Sequence, residues 1–293
     1  METKRKDVTK EDVERWTALW EKHWESGDYK PWHEVQEVPS QGRSRKITGV
    51  KSGRTHHLLS DAEYYVFLLL EYEGSVIEIY EQFPLMPLSK TVQIASERGL
   101  KPPKYRHRTI KDESTEKRAP LPNKIMSTDF LVKVDRNGEE VWVAIPVKTK
   151  SGIDASTDKN KSVLQKLEVE RQYWLDRGVE CKCMVKEDIN KDLIFNLKWF
   201  YDDALLDGQL QENKDLWKET FLSEVDGCSS TITLKEVIDA VSLELNMQSE
   251  QSVKIFRHLM WHKELKADVS KKILLTTKVG KIEFDLSRSA VVD

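Results

Sequence analysis

MSTDFLVKVDRNGEEVWVAIPVKTK, Met126 to Lys150, reads as a β-hairpin that carries an acid and a lysine on one face. Asn137-Gly138 is the strongest short hairpin signal in the chain, because a type I′ turn needs positive φ at both central residues. With these two residues as the loop, Arg136 pairs with Glu139 and, counting back, Asp129 lies opposite Pro146. Lys148 is then the diagonal neighbour of Asp129. Side chains alternate along a strand, so Met126, Thr128, Phe130, Val132 and Val134 share one face with Val141, Val143, Ile145 and Val147. That face is core. The other face holds Asp129, Leu131, Trp142, Ala144, Pro146 and Lys148, with diagonal partners roughly 7–8 Å apart. A slip of one residue sends the acid and the lysine to opposite sides.

Taken alone, an acid and a lysine on a strand are an ordinary solvated ion pair. The chemical alternative is a phosphodiester-cutting site. There an acid on the first strand and the backbone carbonyl before the lysine hold a divalent ion, while the ammonium steadies the attacking water or the phosphorane charge. Such a site needs another carboxylate from elsewhere in the chain.

At 293 residues the chain is long enough for two domains with separate cores. Hydrophobic residues at 39% and charged residues at 33% describe a globular protein with a heavily charged surface. The net charge of -3 supplies no general affinity for nucleic acid, so any DNA contact must come from local basic patches such as Arg43, Arg45, Lys46, Lys51 and Arg54. Three cysteines, Cys181, Cys183 and Cys228, make no disulfide framework, and Cys-Lys-Cys lacks the second half of a zinc-ligand spacing. The longest apolar run, Tyr64 to Leu70, is too short to span a bilayer. The expectation is a reducing cytoplasm and no membrane.

Lys10 to Ser26 is expected to be an amphipathic helix with Val13, Trp16, Trp20 and Trp24 on one stripe. Pro31 to Thr55 is irregular and basic, a solvated hairpin or a phosphate-contacting loop. Ser60 caps a helix through Glu71, and Ser60-x-x-Glu63 is a capping box, which gives Glu63 an ordinary structural role. A strand follows, ending at Pro84, then a short helix over Gln93 to Gly99 and a flexible loop from Lys101 to Lys124. After the hairpin, Thr149 to Lys159 is expected to be a loop beside the site. Ser162 to Arg177 is a helix with Gly178 as its C-cap. Cys181 to Val185 is a strand joining the sheet beside the hairpin. Strand, hairpin, helix and strand make a mixed α/β domain ending near Asp188. Residues 189–293 form a second domain of helices over Leu234 to Leu245 and Glu250 to His262, closed by short strands around Val279-Gly280-Lys281, a pattern that suits a winged helix. His258 and His262, one turn apart, are expected on the surface for want of a third metal ligand.

At this point the chain resembles TnsA, the endonuclease subunit of Tn-seven-type transposons. The stretches that carry the resemblance are PWHEVQEVPSQGRS, GRTHHLLSDAEYYVFLLLE, EQFPLMP, IMSTDFLV, VAIPVK and KLEVERQYW, with LMWHKELKADVSKKI as a weaker C-terminal match. The resemblance implies a restriction-endonuclease-like domain over residues 1–188 and a small winged-helix-like domain over 189–293 for partner or DNA binding. It implies that Glu63 and Asp129 ligate Mg²⁺, with Mn²⁺ as a substitute, that the Val147 carbonyl is a further ligand, and that Lys148 serves the nucleophile. Glu170 matches another acidic position of the family and is equally compatible with a helix surface.

The resemblance further implies cleavage of the 5′, non-transferred strands at transposon ends in the bacterial cytoplasm. The partners it implies are a TnsB-type transposase that cuts and joins the 3′ ends and a TnsC-type ATPase that regulates both. One departure stands out. The family pattern commonly has Glu or Gln two residues before the lysine, where this chain has Pro146, which loses a polar group and a strand N–H and suits an edge or bulged position. Pro146 favours one rival reading, a structural adaptor with a weakened site; a free-standing restriction-type nuclease, active without partners, is a second and independent one.

Overall fold

The computed structural model describes residues 7–37, 43–105 and 120–285, and in it the hairpin closes in the register that its turn requires. Asn137 and Gly138 take φ values of 58° and 88°, and Arg136 stands across from Glu139. The elements run α1 (Lys10–Glu25), β1 (Arg45–Thr48), β2 (Thr55–Leu58), α2 (Asp61–Tyr72), β3 (Val76–Pro84), α3 (Leu88–Glu97), β4 (Ser127–Arg136), β5 (Glu139–Ile145), β6 (Val147–Lys148), α4 (Lys150–Ile153), α5 (Asp158–Leu175), β7 (Glu180–Cys181), β8 (Met184–Val185), α6 (Lys191–Tyr201), α7 (Gly208–Gly227), α8 (Leu234–Glu244) and α9 (Ser249–Trp261). The main sheet has the order β3-β4-β5-β7, antiparallel except for the parallel pair β5 and β7. It is the mixed α/β arrangement expected.

Both faces of the hairpin are core. Phe130, Val132, Val143 and Ile145 are buried on the expected face. Leu131 and Ala144, on the face that carries the acid, are buried too, packed with Leu85, Ile94, Val169, Tyr173 and Trp174, with Trp142 alongside. The helices α3 and α5 supply that cover, which strand alternation cannot foresee. Tyr80 and Phe83 both pack on this second core although they are three residues apart in β3. Strict alternation would send them to opposite faces. The break lies at Gln82, whose φ is 50°.

Pro146 marks a second irregularity. β5 stops at Ile145, the chain resumes at Val147 as β6, and β6 pairs in parallel with β8. Since proline has no N–H to give, the ladder with β4 ends at the Phe130–Ile145 pair, and the next amide in line, that of Val147, donates to the Asp129 side chain instead. The strand expected over Cys181 to Val185 is likewise split into β7 and β8.

Other differences are local. α3 begins at Leu88 rather than Gln93, and α5 begins at Asp158 rather than Ser162, with Thr157 accepting from the Asn160 amide. The segment expected as a loop over Thr149 to Lys159 contains α4 and is pinned by Asn160, whose Nδ2 donates to the carbonyls of Ser151 (2.8 Å) and Asp154 (2.7 Å). Most of the loop expected from Lys101 to Lys124, residues 106–119, lies outside the described residues. Of the tryptophan stripe of α1, Trp20 is buried and Trp24 is exposed, the two stacked on each other and edge-on to Phe83.

The chain divides into two compact units, Met1–Val66 with Gly74–Lys186, and Phe67–Glu73 with Glu187–Asp293. The last residues of α2 thus belong with the second unit, although the sequence alone grouped them with the first. In the second unit α6 to α9 gather around Phe200, Trp217, Phe221 and Phe256, all fully buried. The strands expected around Val279 are absent among the described residues: Val279–Lys281 is a 3-10 turn, and a single bridge joins Thr233 and Lys278.

The tail's backbone is used otherwise. Asn196 of α6 binds the Val269 and Lys271 carbonyls and the Ile273 amide, while the Leu275 and Thr277 carbonyls accept from the first amides of α8. These are the groups a β-wing would have paired, so the winged-helix expectation is not met there. His258 also departs from expectation. It is buried, not a surface residue, and its Nδ1 donates to the Ala204 carbonyl at 3.0 Å, while exposed His262 donates to the same oxygen at 2.8 Å. The three cysteines are free, and no helix among the described residues is long and apolar enough to cross a membrane.

Candidate active site

Asp129, Val147 and Lys148 form one hydrogen-bonded clasp where the β4–β5 ladder ends. Asp129 Oδ2 accepts from the Val147 amide at 2.6 Å and from Lys148 Nζ at 2.8 Å, and Nζ also donates to the Val147 carbonyl at 2.9 Å. The turn register sets up the diagonal, and the break at Pro146 completes it by turning an amide towards the acid. Burial works against a charged Lys148, but the carboxylates of Asp129 and Glu170 outweigh it and hold its pKa well above the ordinary lysine value. In this state Lys148 is a fixed cation and cannot take a proton.

Glu63 enters from the first turn of α2. Its amide is capped by Ser60 Oγ at 3.2 Å, Ser60 Oγ donates to Oε1 at 2.8 Å, and Oε2 accepts from the Leu59 amide at 2.8 Å. The expected capping box is therefore displaced by one residue, with Leu59 rather than Ser60 as backbone donor. A further bond, from Gln82 Nε2 to Oε2 at 3.2 Å, comes from β3. Burial raises the Glu63 pKa to about 7, Asp129 adds to the rise, and the bonds from Leu59, Ser60 and Gln82 oppose it. The capping geometry and proximity to Asp129 coexist in one side chain.

Glu170 is not on a helix surface. It is 4% exposed, on the buried side of α5, hydrogen-bonded to Thr128, whose hydroxyl also accepts from Trp174 Nε1 at 3.3 Å. Burial raises its pKa to about 8, with Lys148 opposing and Asp129 reinforcing the shift. A carboxyl whose folded pKa lies above its unfolded one binds more protons when folded, so its contribution favours folding at low pH and is lost as pH rises from about 4.5 to 8. Glu170→Gln is neutral throughout. It is expected to be more stable than the wild type at pH 8, by a few kcal/mol, with the advantage gone at pH 4.5. Urea unfolding at the two pH values measures this.

Sequence reasoning missed the polar centre beside Glu63. Glu81 is fully buried and receives both Arg54 guanidinium nitrogens, His56 Nδ1 (2.8 Å) and the His57 amide (3.1 Å). Burial pushes its pKa up, but the bonds and charges of His56 and Arg54 prevail and bring it to about 2. The order Ser52 Oγ, His56 and Glu81 resembles a hydrolase relay. However, the amides of Gly53 and Arg54, the nearest candidates for an oxyanion hole, are spent on Gly49 O and Ser52 Oγ. The network fastens the β1–β2 hairpin, and hence the start of α2, to β3. Glu81→Ala removes the carboxylate shared by buried His56 and partly buried Arg54, and is expected to cost about 3–5 kcal/mol in denaturant unfolding. A cavity of about 530 Å³ next to it is lined by Tyr29, Lys30, Ser52, Arg54 and His57, and by none of Glu63, Asp129, Val147 or Lys148.

No group of three or more His, Cys, Asp and Glu among the described residues is arranged to hold a metal. The clasp offers one carboxylate, Asp129, and the Val147 carbonyl, with Glu63 coupled to Asp129 electrostatically. That set suits Mg²⁺, which commonly takes one or two carboxylates and keeps several waters. Lys148 Nζ already bridges Asp129 Oδ2 and the Val147 carbonyl, so this point stabilises positive charge.

A mixed sheet flanked by helices, as here, is the restriction-endonuclease-like class of α/β domain. Residues 73–185 match the family described as TnsA-like endonuclease N terminal, and residues 188–269 match TnsA endonuclease C terminal. The chain is also 42% identical over 174 residues to the Transposon Tn7 transposition protein TnsA of Escherichia coli, covering 59% of this chain and 56% of that protein. It thus spans little more than half the length of this curated relative. The chain belongs to the TnsA family. Asp129, Val147, Lys148 and Glu170 fall within the first family match, and Glu63 precedes it.

Proposed function

We propose that the chain is the DNA endonuclease subunit of a Tn7-type transposase, hydrolysing phosphodiesters of the 5′, non-transferred strands at transposon ends. The observation that carries this reading is the clasp of Asp129, Val147 and Lys148, with Glu63 electrostatically coupled to it, in a chain of the TnsA family. Glu63, Asp129 and the Val147 carbonyl would hold Mg²⁺, or Mn²⁺ in its place. When bound, the ion supplies Lewis-acid polarisation of the phosphate and a more acidic water.

The chain's own residues do the rest. Asp129 fixes Lys148 through Nζ, and the ammonium, held charged, offsets negative charge as it develops on the phosphorane oxygens. Ion binding at Glu63 would compete with its proton, since burial and Asp129 raise its pKa to about 7. The carbonyl of Val147 remains a donor despite Pro146, which takes away a polar side chain and an amide but not this oxygen.

A TnsB-type transposase would cut and join the 3′ ends, and a TnsC-type ATPase would regulate the pair, with residues 189–293 as its contact. Such a division of labour fits a net charge of -3, which leaves targeting to the complex. A bacterial cytoplasmic location follows from the same reading. Strand-specific cleavage of DNA carrying transposon ends, with transposase and ATPase present, tests it. Asp129→Ala is expected to abolish the 5′-end cuts and leave the 3′ cuts. Identical products from both proteins, with 3′ cuts alone, would make the chain an adaptor, and cleavage of plain duplex by the wild type alone would make it a free-standing nuclease.

A further inference from the structure

Gln82 is a buried, non-glycine residue with φ of 50° in the middle of a strand. Positive φ is uncommon for residues with a Cβ, and glutamine is not among the types that tolerate it best. Such a conformation costs free energy and persists only where the surroundings impose it. The ladder on either side is regular, pairing Glu81 with Phe130 and Phe83 with Thr128, so Gln82 stands in register across from Asp129. The distortion is local, and it re-aims one side chain.

Both ends of that side chain are bonded. Its Oε1 accepts from Ser127 Oγ at 3.1 Å and its Nε2 donates to Glu63 Oε2 at 3.2 Å, while its own carbonyl accepts from the Trp32 amide at 3.0 Å. With Glu63 ionised, as ion binding requires, its carboxylate only accepts, so the NH₂ faces it. Ser127 opens β4 two residues before Asp129. The carboxamide therefore ties the element that carries Glu63 to the strand that carries Asp129.

We propose that Gln82 is a positioning residue: its strained backbone aims the carboxamide at Glu63 and fixes that carboxylate relative to Asp129 for joint binding of a divalent ion. The inference rests on the metal-site reading above. A hydrogen bond to a metal-ligating carboxylate commonly carries 10–100-fold in metal affinity or activity.

Two variants separate positioning from mere folding. Gln82→Gly accepts the same φ without strain and lacks the carboxamide, and Gln82→Met keeps the length but cannot donate. Mn²⁺ affinity, read by electron paramagnetic resonance on the full chain, is expected to fall about tenfold or more in both. Thermal stability is expected to be unchanged or raised in Gln82→Gly. Asp129→Asn serves as the reference for the metal site itself. If Asp129→Asn loses Mn²⁺ while both Gln82 variants bind as the wild type does, the positioning role is wrong and the metal site stands. Equal binding by Asp129→Asn and wild type would remove the metal site and this inference with it. Loss of Mn²⁺ only in step with loss of folding in both Gln82 variants would make the residue structural and overturn the proposal.

Discussion

Lys148→Met is expected to slow 5′-end cleavage by about 10²–10³-fold while leaving Mn²⁺ binding as tight as in the wild type or tighter. The ammonium donates to Asp129 Oδ2 and to the Val147 carbonyl, the oxygens proposed to face the ion. Removing it frees both oxygens and removes a competing positive charge, so binding gains. Cleavage loses because a preorganised charge aimed at the developing phosphorane contributes about 10²–10³ in rate. Single-turnover cleavage and Mn²⁺ titration on the same preparation separate the two effects. A parallel fall in both would mean that Lys148 mainly builds the site.

Asp129→Asn is expected to be more severe, with cleavage reduced by at least about 10³-fold and Mn²⁺ affinity lost alongside it, as befits loss of a ligand that supplies several kcal/mol of charge stabilisation. Stability should fall as well. The carboxamide can still accept from the Val147 amide, but it leaves Lys148 without its balancing charge. Breaking a fully buried pair costs about 3–5 kcal/mol; here both side chains are about a fifth exposed, so roughly 2 kcal/mol is expected. Denaturant unfolding reads this independently of cleavage. A variant that lost cleavage but kept both stability and Mn²⁺ binding would assign Asp129 a role other than the one argued here.

The contrast between these residues and Glu63 explains what could be read from the chain alone. Asn137-Gly138 fixes a register, and a register propagates, so the diagonal placing of Asp129 and Lys148 far from the turn follows from local chemistry. Glu63 offers no comparable signal, because a capping box looks the same whether or not its carboxylate faces a second acid. Only the resemblance to a family drew it towards the site. Glu170 and Thr128 illustrate a second barrier. Their pairing spans the strand-to-helix packing of β4 on α5, which no periodicity reports, and a helix with several acids and bases along it conceals which one turns inward.

Gln82 was the least accessible. In EQFPLMP it reads as an ordinary strand residue, since its significance lies in a backbone angle that sequence patterns do not encode. The absence, among the described residues, of the strands expected around Val279 has a different cause: Asn196 and the start of α8 take the backbone groups that a wing would have paired.

The most direct test of the central claim is a crystal structure of the chain in Mn²⁺ with an anomalous difference map. The account predicts a peak held by Glu63, Asp129 and the Val147 carbonyl, with Lys148 Nζ moved off at least one of the two oxygens it now bridges. A peak elsewhere, or no peak with the Asp129–Val147–Lys148 clasp intact at saturating Mn²⁺, would contradict it.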